Sequence, residues 1–127
     1  MNYETKMIIG GRQVGKTTKL IEHSAKTGYT IVCMNHNNAK LIKDRATKMN
    51  LSIPEPIVLN RENIKNEDVH NMIKETKGIL IDNFGYLINN IFDGKYAGCT
   101  CDSLWAKDIE VLGGVSDHDI SNSMKNK

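Results

Sequence analysis

An α/β fold with a mainly parallel sheet is predicted from three observations. First, β-branched apolar runs (Met7-Ile8-Ile9, Tyr29 to Met34, Ile57-Val58-Leu59, Ile79-Leu80-Ile81) alternate with stretches of helical apolar spacing. Second, a glycine-rich octapeptide, Gly10-Gly11-Arg12-Gln13-Val14-Gly15-Lys16-Thr17, separates the first such run from the first such stretch. Third, polar residues follow the strand-like runs, at the edge where parallel sheets hold their ligands. The expected architecture is a three-layer sandwich of about four to five strands with right-handed crossovers.

Each element has its own signal. Tyr3 to Ile9 turns apolar at its end, as a strand entering a core does. Thr17 to Lys26 places Leu20, Ile21, Ser24 and Ala25 on one helical face, with Lys26 in the last turn and Gly28 as C-cap. Tyr29 to Met34 is a continuous apolar run, expected of a strand buried on both faces. Asn35-His36-Asn37-Asn38 ends it, and an asparagine there caps a helix carrying Ala39, Ile42, Ala46 and Met49. Leu51 to Pro56 holds both prolines and is irregular; Ile57-Val58-Leu59 is a short strand.

Asn66-Glu67-Asp68 opens a helix with acid in its first turn. Its stripe is Val69, Met72 and Ile73, with Lys74 and Lys77 near its end and Gly78 closing it. Ile79-Leu80-Ile81 is a strand delivering Asp82. Leu87, Ile88, Ile91 and Phe92 mark a helix stopped by Asp93-Gly94, and Tyr96 to Cys101 reads as a further strand. Ser103 to Leu112 fits either a helix or a helix plus a short strand. Polar Gly113 to Lys127 reads as a loose tail, so the expected division is a domain over 1–112 and a tail over 113–127.

Composition narrows the function classes. A chain of 127 residues, 39% hydrophobic and 25% charged, has the make-up of one globular domain. The net charge of +2 and the scattered lysines and arginines give no support to a nucleic-acid partner. No apolar run approaches the ~18 residues of a membrane span. Met1 to Lys6 lacks the apolar core of a signal peptide, so a cytoplasmic location and no membrane partner are expected. Cys33, Cys99 and Cys101 lack the second pair a zinc site needs and read as free thiols; the four histidines show no metal spacing.

The octapeptide carries the chemistry. A chance match to G-x-x-x-x-G-K-T is expected in roughly 0.4% of chains this long, so its place between strand and helix is informative. Gly10 and Gly15 allow a tight turn, and the amides from Gly11 through Arg12, Gln13, Val14, Gly15, Lys16 and Thr17 to Thr18 form a cradle for phosphate oxygens. Lys16 brings a mobile cation to the β and γ phosphates, and the Thr17 hydroxyl suits Mg²⁺. Asp82, at the end of a buried strand, is a second candidate for the ion or a helix cap.

With these residues the chain resembles the P-loop NTPases over residues 5 to 101. Gly10 to Thr17 match Walker A, and Ile79 to Asp82 match Walker B. The order is similar to that of the additional-strand branch, which includes RecA-like, helicase and packaging-motor domains. The resemblance implies ATP or another NTP with Mg²⁺ as cofactors, and Thr100 as the polar sensor on a strand between the other two. Lys16, Asn83 and Thr100 would be the catalytic group, with Thr17 and Asp82 on the metal. One departure stands out: that branch commonly has Glu after the Walker B Asp, and this chain has Asn83, which can orient water but cannot take its proton. Glu55, Glu62 and Glu67 are possible substitutes, and Arg12, Arg45 and Arg61 possible γ-phosphate clamps.

The expected function is therefore a Mg²⁺-dependent NTP-binding protein that hydrolyses slowly, or faster in a homo-oligomer or larger complex. The alternatives are a nucleotide-gated binding module without turnover, and a small nucleoside or nucleotide kinase. For the kinase, Gly15-Lys16-Thr17-Thr18-Lys19-Leu20-Ile21 also resembles the start of thymidine kinases, without their C-x-x-C zinc element. Richness in Asn, Lys and Ile is similar to that of small bacteriophage proteins.

Overall fold

The computed structural model describes residues 6–10, 15–100 and 108–112. Residues 11–14 of the glycine-rich loop, the segment 101–107 and the expected tail at 113–127 lie outside the described residues. The elements alternate along the chain: β1 (Lys6–Gly10), α1 (Lys16–Thr27), β2 (Thr30–Cys33), α2 (His36–Lys48), β3 (Ile57–Val58), α3 (Glu67–Lys74), β4 (Ile79–Ile81), α4 (Phe84–Ile91) and β5 (Asp108–Leu112). Every strand pairing is parallel, which makes the protein α/β. It divides into two compact units, Thr17–Thr100 and the remainder.

In the larger unit the strand order is β3-β2-β4, so β2 lies between two neighbours. All four residues of β2 are buried, as its unbroken apolar run predicts. Alternation sends its side chains to opposite faces. Ile31 and Cys33 pack with Ile21 of α1 and with Ala39, Ile42 and Ala46 of α2, joined by Leu80 of β4 and Val58 of β3. Val32 packs on the other side with Ile57 and Leu87, against Ile81 of β4, Val69 and Ile73 of α3 and Ile91 of α4. Two helices therefore cover each face, giving three layers.

The smaller unit contains β1 paired with β5, from Lys6 opposite Asp108 to Gly10 opposite Leu112. The expectation of one sheet of four to five strands is thus corrected: the described strands form a three-stranded sheet and a two-stranded ladder. The expected strand at Tyr96 to Cys101 is also corrected. Residues 95–100 adopt no regular structure, and the segment 92–100 is exposed throughout. The physical reason is composition. Ala97 and Gly98 offer little side chain for a sheet to pack, whereas Ile109 and Val111 in β5 are strong strand formers.

Local chemistry sets the helix ends. Asn35 caps α2 by accepting the Asn38 N–H at 2.8 Å, and Asn66 caps α3 by accepting from Asp68 and Val69. Gly28, at φ +78°, ends α1 by donating its N–H to Ser24 at 2.8 Å. At the end of α2 the Leu51 N–H reaches back to the Ala46 carbonyl at 2.9 Å across Asn50, whose φ is +58°. Asparagine tolerates this left-handed geometry better than other side chains, so Asn50→Ala is expected to lower stability by about 1 kcal/mol in urea unfolding. Gly78 does not cap α3, which ends at Lys74 with Glu75 as its cap; it directly precedes β4, where a Cβ would stand 3.0 Å from the Tyr29 ring. Two expected stripe residues, Met72 and Phe92, are instead exposed, since each lies at the outer edge of its helix's apolar arc.

Candidate functional site

The carboxyl edge of the three-stranded sheet gathers Met34-Asn35 after β2, the loop from Leu59 after β3, and Asp82-Asn83 after β4. Asp82 is fixed there by its backbone, because its N–H donates to the Val32 carbonyl at 2.9 Å and so extends the β2–β4 ladder. Its side chain is half-buried, and the Thr17 hydroxyl donates to Asp82 Oδ1 at 3.3 Å. These residues are 65 apart in sequence. The structure therefore brings together the two side chains expected to hold Mg²⁺.

Thr17 lies in the first turn of α1, beside Lys16, the first and exposed residue of that helix. Thr18 follows, half-buried. No acidic residue occupies that turn. The positive end of the helix dipole is thus offset by no carboxylate of its own turn, a local field that favours an anion. Gly15, immediately before α1, has φ +88°, and nothing lies within 4 Å of where a Cβ would stand. Glycine is required there by backbone conformation rather than by space. Gly10 is the last residue of β1; Gly11, Arg12, Gln13 and Val14 lie outside the described residues.

Asn83 has φ 63° and ψ 62°, in the left-handed region, directly before α4. It occupies the cap position, yet its side chain makes no capping hydrogen bond, and it is exposed. A glutamate there would carry the left-handed cost of about 1–2 kcal/mol that asparagine largely avoids. Asparagine at position 83 thus has a backbone reason. Thr100 is exposed and lies on none of the described strands.

Of the candidate bases and clamps, Glu55, Glu62 and Arg61 form ion pairs with other side chains. Glu55 precedes β3, at the amino edge of the sheet, and pairs with Lys43 at 2.9 Å. Glu62 lies 3.7 Å from Arg61, which also pairs with Asp93. Glu67 is the exposed first residue of α3, and Arg45 is exposed on α2. Among the described residues no group of three or more His, Cys, Asp or Glu side chains could hold a metal alone. Mg²⁺ needs fewer protein ligands, because phosphates and water complete its shell.

Cys33 is buried at the end of β2. Burial first, and the Asp82 charge second, raise its thiol pKa above the ordinary 9.0, partly opposed by a backbone hydrogen bond from Asn35. A thiol raised in the folded state contributes stability that is complete below pH 9.0 and is lost as pH climbs through the folded value. The stability advantage of wild type over Cys33→Ala is therefore expected to shrink above pH 9.0 in urea titrations. A constant difference across that range would contradict it.

Sequence reasoning missed two features. The left-handed backbone at Asn83 had one signal, an asparagine between a strand and a helix. The polar face of α4 (Tyr86, Asn89 and Asn90) had another, since two adjacent asparagines are poor helix formers. No helix among the described residues is long and apolar enough to cross a membrane. No protein-family model, curated protein or solved structure matches the chain.

Proposed function

We propose that the protein binds ATP or another nucleoside triphosphate with Mg²⁺, through Gly10 to Thr18 and Asp82. The observation that carries this reading is the Thr17–Asp82 hydrogen bond, which joins the hydroxyl of the G-K-T segment to the acid ending I-L-I-D. Lys16 would neutralise phosphate charge, the amides at the start of α1 would receive phosphate oxygens, and Thr17 with Asp82 would hold the ion. The ion would supply charge neutralisation on the terminal phosphates.

Slow hydrolysis, raised in an oligomer or by a partner, is the activity proposed. Asn83 can position water but leaves its proton without an acceptor at that place. The same observation favours a second reading, a nucleotide-gated binding module without turnover. Phosphate release measured alone and at high protein concentration separates the two.

Binding itself is tested by thermal unfolding. At a hundredfold excess over Kd, ATP with Mg²⁺ should stabilise the fold by about 2.7 kcal/mol, roughly 10 °C for a domain of this size. Asp82→Asn should abolish the part of that shift that disappears with a chelator. Equal melting with and without nucleotide would remove the proposal.

A further inference from the structure

Away from Thr17 and Asp82, the carboxyl edge holds a second feature. An open depression of about 310 Å³ lies between Met34 and Arg61, which follow β2 and β3, and one face of α4. That face carries Tyr86, Asn89 and Asn90, spaced so that all fall on one side of the helix, and Asp93 lies in the turn that follows. Leu87 and Ile91 hold the opposite side in the core.

The depression is built rather than incidental. Asn60 donates to the Met34 carbonyl at 3.0 Å and accepts the Glu62 and Asn63 N–H groups, while Asn63 donates to the Val58 carbonyl at 2.8 Å. The loop bearing Arg61 is thereby fixed to the strand ends. The Arg61 N–H donates to Asn90 Oδ1 at 3.0 Å, and its guanidinium pairs with Asp93, fastening the same loop to the end of α4. Tyr86 and Asn89 remain exposed, so a phenol ring and an amide stand open beside the depression.

We infer that this depression receives a nucleobase. An aromatic ring offers a stacking surface, and the Asn89 amide presents a paired donor and acceptor that match the edge of a base. The depression lies at the edge where such sheets bind ligands. None of its lining residues belongs to the proposed triphosphate site, so the inference goes beyond that reading and stands apart from it. Free nucleosides and single-stranded nucleic acid both present this chemistry.

The test uses the full chain and ligands without a triphosphate. Common ribonucleosides and a short mixed-sequence single-stranded oligonucleotide are titrated in turn, following the side-chain amide signals of Asn89 and Asn90 by NMR. Saturable shifts with at least one ligand are expected. Tyr86→Ala should weaken binding by roughly tenfold, Asn89→Ala should change the ranking of bases, and Lys16→Ala should leave binding unchanged. Tighter binding of the oligonucleotide identifies single strands as the source, and equal or tighter binding of a nucleoside identifies the free molecule. The inference is overturned if no ligand gives saturable shifts, if Tyr86→Ala binds as well as wild type, or if Lys16→Ala removes binding.

Discussion

Lys16→Ala is expected to lose about 100-fold in affinity for ATP with Mg²⁺ while melting at the wild-type temperature without ligand. The two halves of this result have separate causes. Lys16 is exposed at the start of α1, so truncating it opens no cavity. In the proposed complex its ammonium donates to charged phosphate oxygens, each such bond contributing about 1.5–3 kcal/mol. Losing roughly 3 kcal/mol corresponds to about 100-fold in Kd. Calorimetric titration of both proteins measures it. Unaltered affinity in the variant would remove Lys16 from the site, and with it the phosphate-binding role of the loop.

The other large effect concerns the fold. Ile31→Ala should destabilise the protein by about 4 kcal/mol, near the upper end for a buried aliphatic truncation. Ile31 is fully buried at the middle of β2. It is opposite Leu80 of β4 in the register and packs in the cluster built by α1 and α2. A three-stranded sheet has few alternatives for refilling the space. Since domains retain about 5–15 kcal/mol in total, the urea midpoint should fall by a large fraction. Leu41→Ala, on the exposed side of α2, should change stability by less than about 0.5 kcal/mol. Similar losses at both positions would contradict the assignment of Ile31 to the core.

Much of this arrangement was legible in the sequence because it rests on local periodicity. The unbroken run from Tyr29 to Met34 announced a strand buried on both faces, and Ala39, Ile42 and Ala46 announced the face of α2 that covers it. Asn35 and Asn66 announced their caps, and Gly28 its turn. Strand pairing was less legible, because it depends on competition between distant segments. Tyr96 to Thr100 has strand-like alternation, but its small residues leave little to bury, and β1 pairs instead with Asp108–Leu112.

The site divides in the same way. Thr17 and Asp82 were identified from two short motifs, and the fold brings their side chains together. The polar face of α4 was not identified, because attention to the apolar stripe of Leu87 and Ile91 leaves its opposite side uninterpreted. Nor does a motif show backbone conformation: the left-handed geometry of Asn83, and the constraint it places on a glutamate there, become visible only once β4 and α4 are joined.

The central claim is that Thr17 and Asp82 share a divalent ion when a triphosphate is bound. Replacing magnesium with paramagnetic manganese at low stoichiometry, with ATP present, probes this residue by residue in amide NMR spectra. Selective broadening of the Thr17 and Asp82 signals is the predicted result. Sharp signals at both, with broadening confined to outlying carboxylates such as Glu55 and Glu62, would contradict it.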